Sequence, residues 1–359
     1  RIEMPRIEMP RIEMPRIEMP RIEESGESDD AFIQRLNAEL GAVVEGITRP
    51  AVGMIELTVR APLAARMFKA GQFFRLQNYE THALRTNGTT LAMEGVATLA
   101  AEVDPEAGTV SLIVAGRGGS SDLAGLIKPG EPIALMGPTG APAEIPEGET
   151  VLLAGAGYGV PALLPFAKAM KAKGCRVLFF AGASKTSALY RPDAIEDVSD
   201  TLIRCGEQDP EPAEGMVFVG DVVDAIGSYG RGELGVPVIA LSEVDRIVTI
   251  APEGVMRALA EARHGVLKEL LKPGHLAYGA INSPMQCMMK EICAQCLQPR
   301  TDPASGETRL VFSCADPNQP LDEVDFDALA QRLSQNAVQE KLTRLWVERC
   351  LAGLDPARS

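Results

Sequence analysis

The sequence lacks long apolar runs and any excess of positive charge. Its 359 residues carry a formal net charge of −14. Such a chain is poorly suited to nucleic acid, because phosphate binding needs a basic face. A bilayer-spanning helix needs about 20 consecutive apolar residues, and neither such a run nor the apolar core of a signal peptide is visible. The sequence therefore predicts a cytoplasmic protein with no membrane span and no nucleic-acid partner.

Cysteine and histidine are also scarce. Seven cysteines are too few for a disulfide scaffold in a chain of this length, and their number is odd. Four of them cluster toward the C-terminus, which favours metal binding in a reducing cytoplasm. His82, His264 and His275 are scattered along the chain, and we find no convincing acid–base pair. We therefore predict no catalytic side chain.

Residues 1–31 show neither a helical nor a strand period. Four RIEMP repeats place a proline at every fifth position, which removes a helical hydrogen-bond donor in each turn. We therefore predict an extended, solvated segment that continues into an acidic linker. Since the chain begins with Arg1 rather than methionine, we expect a fragment of a longer polypeptide.

The rest of the chain divides into four predicted segments. Residues 32–147 contain short β-rich runs separated by Gly, Pro and Asp, which is typical of an antiparallel β-barrel. Residues 148–280 alternate continuous apolar runs with helical stretches, as a doubly wound parallel sheet does. Residues 281–320 carry the cysteine cluster. Residues 321–359 show apolar positions at near-helical spacing and predict one or two amphipathic helices.

A glycine-rich turn follows the first strand of the predicted parallel sheet, in "LLAGAGYGVPALL". Gly155, Gly157 and Gly159 lie between a buried strand and a helix. Glycine lets a phosphate approach the backbone closely, and the helix start offers N–H groups to an anion. The spacing is not the strict dinucleotide fingerprint, and a purely structural turn is the alternative. The strand–turn–helix context favours a nucleotide site.

Four cysteines have the spacing Cys287-x5-Cys293-x2-Cys296-x17-Cys314. Structural zinc prefers two closely spaced pairs, and only one such pair is present. A 2Fe–2S cluster prefers three ligands on one loop and a fourth at a distance, and this sequence has that layout with one extra residue in the first gap. The polar loop argues against four unligated core cysteines. We predict a 2Fe–2S cluster, with zinc as the main alternative.

The order of barrel, nucleotide domain and cysteine loop resembles the ferredoxin–NADP reductase superfamily. Within it, the chain is most similar to the electron-transfer subunits of type B dihydroorotate dehydrogenases and to the small subunits of sulfide dehydrogenases and NADH-dependent ferredoxin–NADP oxidoreductases. The resemblance covers residues 60–320. It rests on "AGQFFRLQ", "GGSSDLAGLIKPGEPIALMGPTG", "VLLAGAGYGVPALLPFAKAM", "APEGVM" and the four cysteines.

The resemblance implies three redox cofactors: FAD in the barrel, NAD or NADP on the second domain and a 2Fe–2S cluster near the flavin. By position, it implies that the FAD pyrophosphate is held by Gly118, Gly119, Ser120 and Ser121. It implies that the nicotinamide nucleotide faces Gly155, Gly157, Tyr158, Gly159 and Val160, with Ala251, Pro252 and Glu253 near the nicotinamide. Lys185 and Arg191 follow the next strand and are candidates to meet the 2′-phosphate of NADP.

Two departures from the family pattern concern the flavin and the nicotinamide. The family's Arg-x-Tyr/Pro-Ser/Thr flavin motif is absent from Thr89–Ala100, where the sequence from Met93 to Val96 takes its place. Many reductases have Cys-Gly where this chain has Ile250 and Ala251. The second change removes a reactive thiol from the nicotinamide side.

The resemblance implies an NAD(P)H-dependent electron-transfer flavoprotein subunit that is active within a larger redox complex. Electrons would move between NAD(P)H, FAD and the cluster to a partner subunit. The weak flavin motif favours one alternative, a subunit without FAD that acts as scaffold and relay. A zinc-stabilised binding module is a third possibility.

Overall fold

The computed structural model describes residues 28–116, 118–185, 188–206, 215–281, 285, 287, 292–335 and 337–352. The RIEMP repeats, predicted to be extended, lie outside these residues. Within the described ranges, no helix combines the length and the apolar character that crossing a membrane requires.

The first described element is a helix, α1 (Asp29–Leu40), where the sequence suggested a linker followed by strands. Ser28 caps it by accepting a hydrogen bond from the Ala31 N–H, at 3.3 Å. Asp29 and Asp30 occupy its first turn, where the helix dipole favours negative charge. Its residues are exposed or half-buried. Its apolar positions therefore make no clear stripe, which explains why the pattern was missed.

Six antiparallel strands form the first sheet, in the order β1-β2-β7-β6-β3-β8. Main-chain hydrogen bonds Val44 N–H to Glu131 O and Ile133 N–H to Ala42 O join the two edges, so the sheet closes into a barrel. A short helix and a small β4–β5 hairpin lie between the strands, and a 3₁₀ helix at Gly119–Leu126 follows β7. The elements are β1 (Val43–Ala51), β2 (Met54–Arg60), α2 (Pro62–Met67), β3 (Phe73–Asn78), β4 (Arg85–Thr86), β5 (Thr89–Thr90), β6 (Val96–Asp104), β7 (Thr109–Ala115) and β8 (Ile133–Thr139).

The second sheet is parallel except for one edge strand, and its order is β12-β11-β10-β9-β13-β14-β17. Helices cover both faces and enclose two separate apolar cores, as in a doubly wound fold. The elements are β9 (Thr150–Ala156), α3 (Gly159–Ala162), α4 (Leu164–Ala172), β10 (Arg176–Ala183), α5 (Pro192–Glu196), β11 (Thr201–Gly206), β12 (Met216–Val219), α6 (Val222–Gly230), β13 (Arg246–Ile250), α7 (Glu253–His264) and β14 (Leu276–Ala280).

The C-terminal part joins both sheets. A hairpin of β15 (Leu297–Thr301) and β16 (Thr308–Phe312) precedes β17 (Asn318–Pro320), which pairs antiparallel with β14. Helix α8 (Phe326–Ser334) packs on the second sheet, whereas α9 (Ala337–Ala352) returns to the barrel and buries Val347 and Cys350 in the barrel core. The predicted architecture of antiparallel barrel, parallel-sheet domain and C-terminal helices is confirmed.

Candidate functional site

The glycine-rich turn after β9 is built by close backbone packing. A Cβ atom on Gly159 would lie 1.7 Å from the Ile250 carbonyl oxygen, so only glycine allows the turn to touch the end of β13. Gly155 packs against Val160, which is buried beneath the turn. Gly157 has φ +56°, and a Cβ there would meet no described atom within 4 Å. Gly157 therefore presents open backbone at the carboxyl end of the sheet.

A cleft separates this turn from the barrel. Its cavity volume is about 240 Å³. Gly157, Tyr158 and Val160 line one wall, and residues 182–184 and 188–190 extend that wall beyond β10. Barrel residues 51–54 and Ala115 form the opposite wall. Ligands of such sheets bind beyond the carboxyl ends of the strands, and this cleft lies there.

A second, more apolar space lies between the two sheets, with a cavity volume of about 40 Å³. Phe73 and Thr98 contribute from the barrel, Ile250 from β13, and Met285 and Ser313 from the cysteine segment. Tyr158 lines this inner cavity as well as the outer cleft. Tyr158 therefore stands at the junction between the two spaces.

The loop after β13 places its predicted residues at the start of α7. Ala251 is buried, Pro252 is the N-cap residue and Glu253 is the first helical residue. The Oε1 atom of Glu253 is buried and has no hydrogen-bond partner among the described residues. A buried carboxylate oxygen without a donor is costly, so it marks a position where a ligand donor would be stabilising.

The four predicted cluster ligands are all described, and the structure brings Cys296 and Cys314 into contact. The Sγ atoms of Cys296 and Cys314 are 3.2 Å apart and buried next to Phe73 and Met285. Cys287 and Cys293 are half-buried. Across the described ranges, no three His, Cys, Asp or Glu side chains are grouped so that they could hold a metal ion.

The Cys296 thiol has the acidity that a metal ligand needs. Its hydrogen bond with Cys314 is the main cause that lowers the pKa of Cys296, to about 6, against the opposing effect of burial. Because the thiolate is the form that binds metal, the Cys296–Cys314 pair fits two ligands of a cluster.

The predicted flavin pyrophosphate loop is well ordered by internal hydrogen bonds. Ser120 Oγ accepts from the Glu94 N–H at 2.6 Å, and Ser121 Oγ donates to the Gly118 carbonyl at 3.1 Å. Gly118 and Gly119 have φ of +92° and +64°, a region that favours glycine. The loop starts the 3₁₀ helix as a helical anion site would.

Helix α9 covers this loop, which the sequence did not predict. A Cβ atom added to Gly118 would lie 2.4 Å from Arg344 Cδ, and one added to Gly119 would lie 3.1 Å from Thr343 Cγ2. Carbon atoms in ordinary contact are about 3.5–4.0 Å apart. The loop and α9 are thus packed directly against each other. Helix α9 therefore occupies the space beside Gly118 and Gly119, two of the residues predicted to hold the FAD pyrophosphate.

Sequence reasoning also missed an arginine beside the degenerate flavin motif. The guanidinium group of Arg75, on β3, fills the space beside Gly95, because a Cβ on Gly95 would lie 1.9 Å from Arg75 Cζ. Arg75 Nη1 donates to Gln77 Oε1 at 3.2 Å, whereas its buried Nε has no partner among the residues that the structure describes. The adjacent glycine in "MEGV" was the available signal, since it leaves space that a long side chain can enter.

A second missed feature is a buried polar cluster between the two sheets. Glu56 on β2 is almost fully buried and accepts hydrogen bonds from Tyr190 Oη at 2.8 Å and Arg191 Nη2 at 2.9 Å. Ser111 Oγ also donates to it. Arg191 Nη1 is 3.0 Å from Glu102 Oε2. The cluster joins the barrel to the segment that borders the outer cleft.

Comparison with protein-family models finds no match. An uncharacterized protein of Rickettsia prowazekii is 31% identical over 289 residues, which are 80% of this chain and 31% of that protein. This chain thus spans about a third of that relative's length. The dihydroorotate dehydrogenase B (NAD(+)) electron transfer subunit homolog of Thermotoga maritima is 26% identical over 294 residues, 81% of this chain and 89% of that protein. The corresponding subunit of Bacillus cereus is 26% identical over 284 residues, 76% of this chain and 93% of that protein.

One solved structure, of the NADH-dependent reduced ferredoxin–NADP oxidoreductase, has the same fold. The match has a TM-score of 0.68 and 24% sequence identity, and it covers 87% of this chain and 98% of the other. It supports the fold assignment alone.

Proposed function

This chain belongs to the ferredoxin–NADP reductase-like superfamily and is a distant homologue of dihydroorotate dehydrogenase B electron-transfer subunits, and from that premise we propose that it is the NAD(P)H-linked electron-transfer subunit of a larger redox complex. The nicotinamide nucleotide would occupy the outer cleft. The four cysteines would hold a 2Fe–2S cluster that passes electrons to a partner subunit.

The main support for this proposal is that the outer cleft adjoins the inner cavity and that the inner cavity adjoins the cysteines. Tyr158 borders both the cleft and the inner cavity. Phe73 borders the inner cavity and packs against Cys296 and Cys314. Tyr158 thus adjoins both spaces, and Phe73 adjoins both the inner cavity and the two cysteines. The inner cavity therefore lies between the proposed nucleotide site and the proposed cluster ligands.

The residues around the cleft have separate roles in this proposal. Gly157 would let a phosphate approach the backbone, and Gly159 holds the turn against β13. Glu253, the first residue of α7, would lie near the nicotinamide.

The polar cluster around Glu56 favours NADH over NADPH. Arg191 was a candidate for the 2′-phosphate of NADP, but its guanidinium group is bound to both Glu56 and Glu102. Recruiting it to a phosphate would leave the buried Glu56 carboxylate without its cation, which is costly. We therefore expect the chain to bind NADH more tightly than NADPH, a preference that competition binding with the two nucleotides would measure.

Some features of the chain support a bound flavin, and others oppose it. When bound, a flavin accepts a two-electron hydride and releases single electrons, which suits a nicotinamide donor and an iron–sulfur acceptor. Arg75 offers a cation beside the degenerate motif, but the apolar inner cavity, at about 40 Å³, has no room for a flavin ring in this conformation. Helix α9, however, lies where the diphosphate would bind. That position favours the second candidate function, a relay subunit without FAD.

The test is the iron, sulfide and flavin content of the full chain, purified without oxygen, together with its visible spectrum before and after NADH. We expect about two iron and two sulfide per chain. Flavin absorbance that bleaches with NADH would support the flavoprotein. Iron without flavin would support the relay subunit. A colourless, iron-free protein with bound zinc would contradict both and favour the zinc-stabilised module.

A further inference from the structure

Helix α9 and the flavin loop compete for the same space. Arg344 and Thr343, on consecutive positions of α9, rest on Gly118 and Gly119. The contacts to Gly118 come from three side-chain carbons of Arg344, at 2.4, 2.8 and 3.2 Å from the position of an added Cβ. The helix is thus in contact with the loop along the backbone that would bind a diphosphate.

The loop nevertheless keeps the features of an anion site beneath the helix. Its conformation is held from the barrel side, because Ser120 Oγ accepts from the Glu94 N–H. The next residue, Gly95, faces the Arg75 guanidinium group. Arg75 Nε is buried and unpaired among the described residues. Its Nη1 donates to Gln77 Oε1, so the guanidinium group is partly paired and adds positive charge beside the segment that holds the loop.

The attachment of α9 is narrow. Of its 16 residues, Val347 and Cys350 are the buried ones. Leu342 and Trp346, by contrast, are 63% and 51% exposed. The ion pair between Arg344 and Glu348 lies within the helix and does not bind it to the barrel. Release of α9 would uncover the barrel core at these two side chains but would break no strand pairing.

We infer that α9 is a displaceable cover of the flavin site: α9 and the diphosphate of a flavin dinucleotide exclude each other at Gly118–Ser121. This inference rests on the flavin-binding part of the proposed function. The uncovered form would expose the backbone of the loop to the ligand's phosphates. The covered form, which the structure shows, would retain the nucleotide cleft and the Cys296–Cys314 pair but take up flavin poorly.

The first measurement uses the full chain, freed of flavin, and hydrogen–deuterium exchange with and without FAD. We expect FAD to slow exchange in residues 118–126 and to speed it in residues 337–352. Slower exchange in the loop with unchanged protection of α9 would overturn the inference, because both would then be bound at once. That result would leave the flavoprotein function intact.

The second measurement compares the FAD dissociation constant of the full chain with those of two variants, by quenching of flavin fluorescence. Val347→Asp places a charge in the contact that holds α9, whereas Leu345→Asp changes an exposed position of the same helix. We expect Val347→Asp to bind FAD at least tenfold more tightly and Leu345→Asp to match the wild type.

Equal affinity of all three proteins would overturn the inference. A lack of FAD binding by all three would also overturn it, and would remove the flavin from the proposed function. NADH binding and iron content, measured on the same samples, would then show whether the relay function remains. If Val347→Asp does not fold, the exchange experiment on the full chain decides.

Discussion

Replacement of Glu56 by alanine should reveal how firmly the barrel is joined to the nucleotide domain. The carboxylate accepts hydrogen bonds from Ser111, Tyr190 and Arg191 on Oε1, and from Thr48 on Oε2 at 3.3 Å. Ser111 and Thr48 belong to the barrel. Tyr190 and Arg191 lie beyond β10 in the other domain. The substitution therefore removes the acceptor of a four-membered network at the domain boundary.

The cost follows from the burial of the donors. Tyr190 and Ser111 are 2% and 7% exposed, so each hydroxyl would be left buried without its acceptor, at about 1–3 kcal/mol each. The Arg191 side chain is 45% exposed and keeps its ion pair with Glu102, so loss of the Arg191–Glu56 interaction adds about 1 kcal/mol or less. Burial above all, and then the Glu56 carboxylate, raise the pKa of Tyr190 above its usual range. Its hydroxyl thus remains a donor at neutral pH. We expect a total loss of about 4 kcal/mol.

Urea unfolding of wild type and variant would measure this loss. Glu56→Gln keeps an acceptor for the hydroxyl groups and should cost about half as much as Glu56→Ala. The matched control is Glu102→Ala, which removes a half-exposed partner of the same arginine and should cost about 1 kcal/mol or less. A loss below about 1 kcal/mol for Glu56→Ala would refute the reasoning, because the buried hydroxyls would then have found other partners.

Three further predictions address the nucleotide turn, the acid stability and the cluster. Gly159→Ala should weaken NADH binding at least tenfold, because the added Cβ would lie 1.7 Å from a β13 carbonyl oxygen. The control variant Gly254→Ala should bind NADH normally, since its Cβ would meet no described atom within 4 Å. Equal NADH affinities of the two variants would contradict the close packing at Gly159. The hydrogen bond from the Lys272 ammonium group is the main cause that holds the pKa of Asp245 below its usual range. The Asp245 carboxylate therefore stabilises the fold at pH values above the unfolded-state pKa of about 3.9. This stabilisation is lost as the pH falls through the lower folded-state pKa. The melting-temperature difference between wild type and Asp245→Asn should therefore shrink between pH 5 and pH 2, and a constant difference would argue against this linkage. Cys314→Ser should lower iron per chain to near zero in metal analysis, while Cys350→Ala, in the barrel core, should retain it; iron retained by Cys314→Ser would remove that residue from the proposed ligands.

The architecture was predictable because each sheet leaves a distinct local pattern. The run "TVLLAGA" is almost continuously apolar, because helices cover both faces of β9 and the strands β10 and β13 pair along its two edges. The barrel strands pair antiparallel, as β2 and β7 do, and Gly, Pro and Asp are frequent between successive strands of the chain. Helix α1 was missed for the opposite reason, because its residues are exposed or half-buried and carry no core-facing stripe.

The composition of the candidate site was in part predictable, but the contacts within it were not. Glycine between a strand and a helix indicated the nucleotide turn, because close packing against a neighbouring backbone excludes any side chain. The position of Arg75 beside Gly95 was not predictable from the sequence, because the two residues lie on different elements that only the folded barrel brings together.

The sequence by itself determined the two fold classes, the glycine turn and the four cysteines of the predicted cluster. These features depend on residue type and on spacing within a few positions. Only the tertiary structure decided that Arg191 binds Glu56, 135 residues away, and that α9 rests on Gly118. Such contacts depend on how whole elements pack, which local periodicity does not encode. Whether α9 can leave the loop at Gly118–Ser121 is therefore a question that the tertiary structure raises and the sequence alone does not.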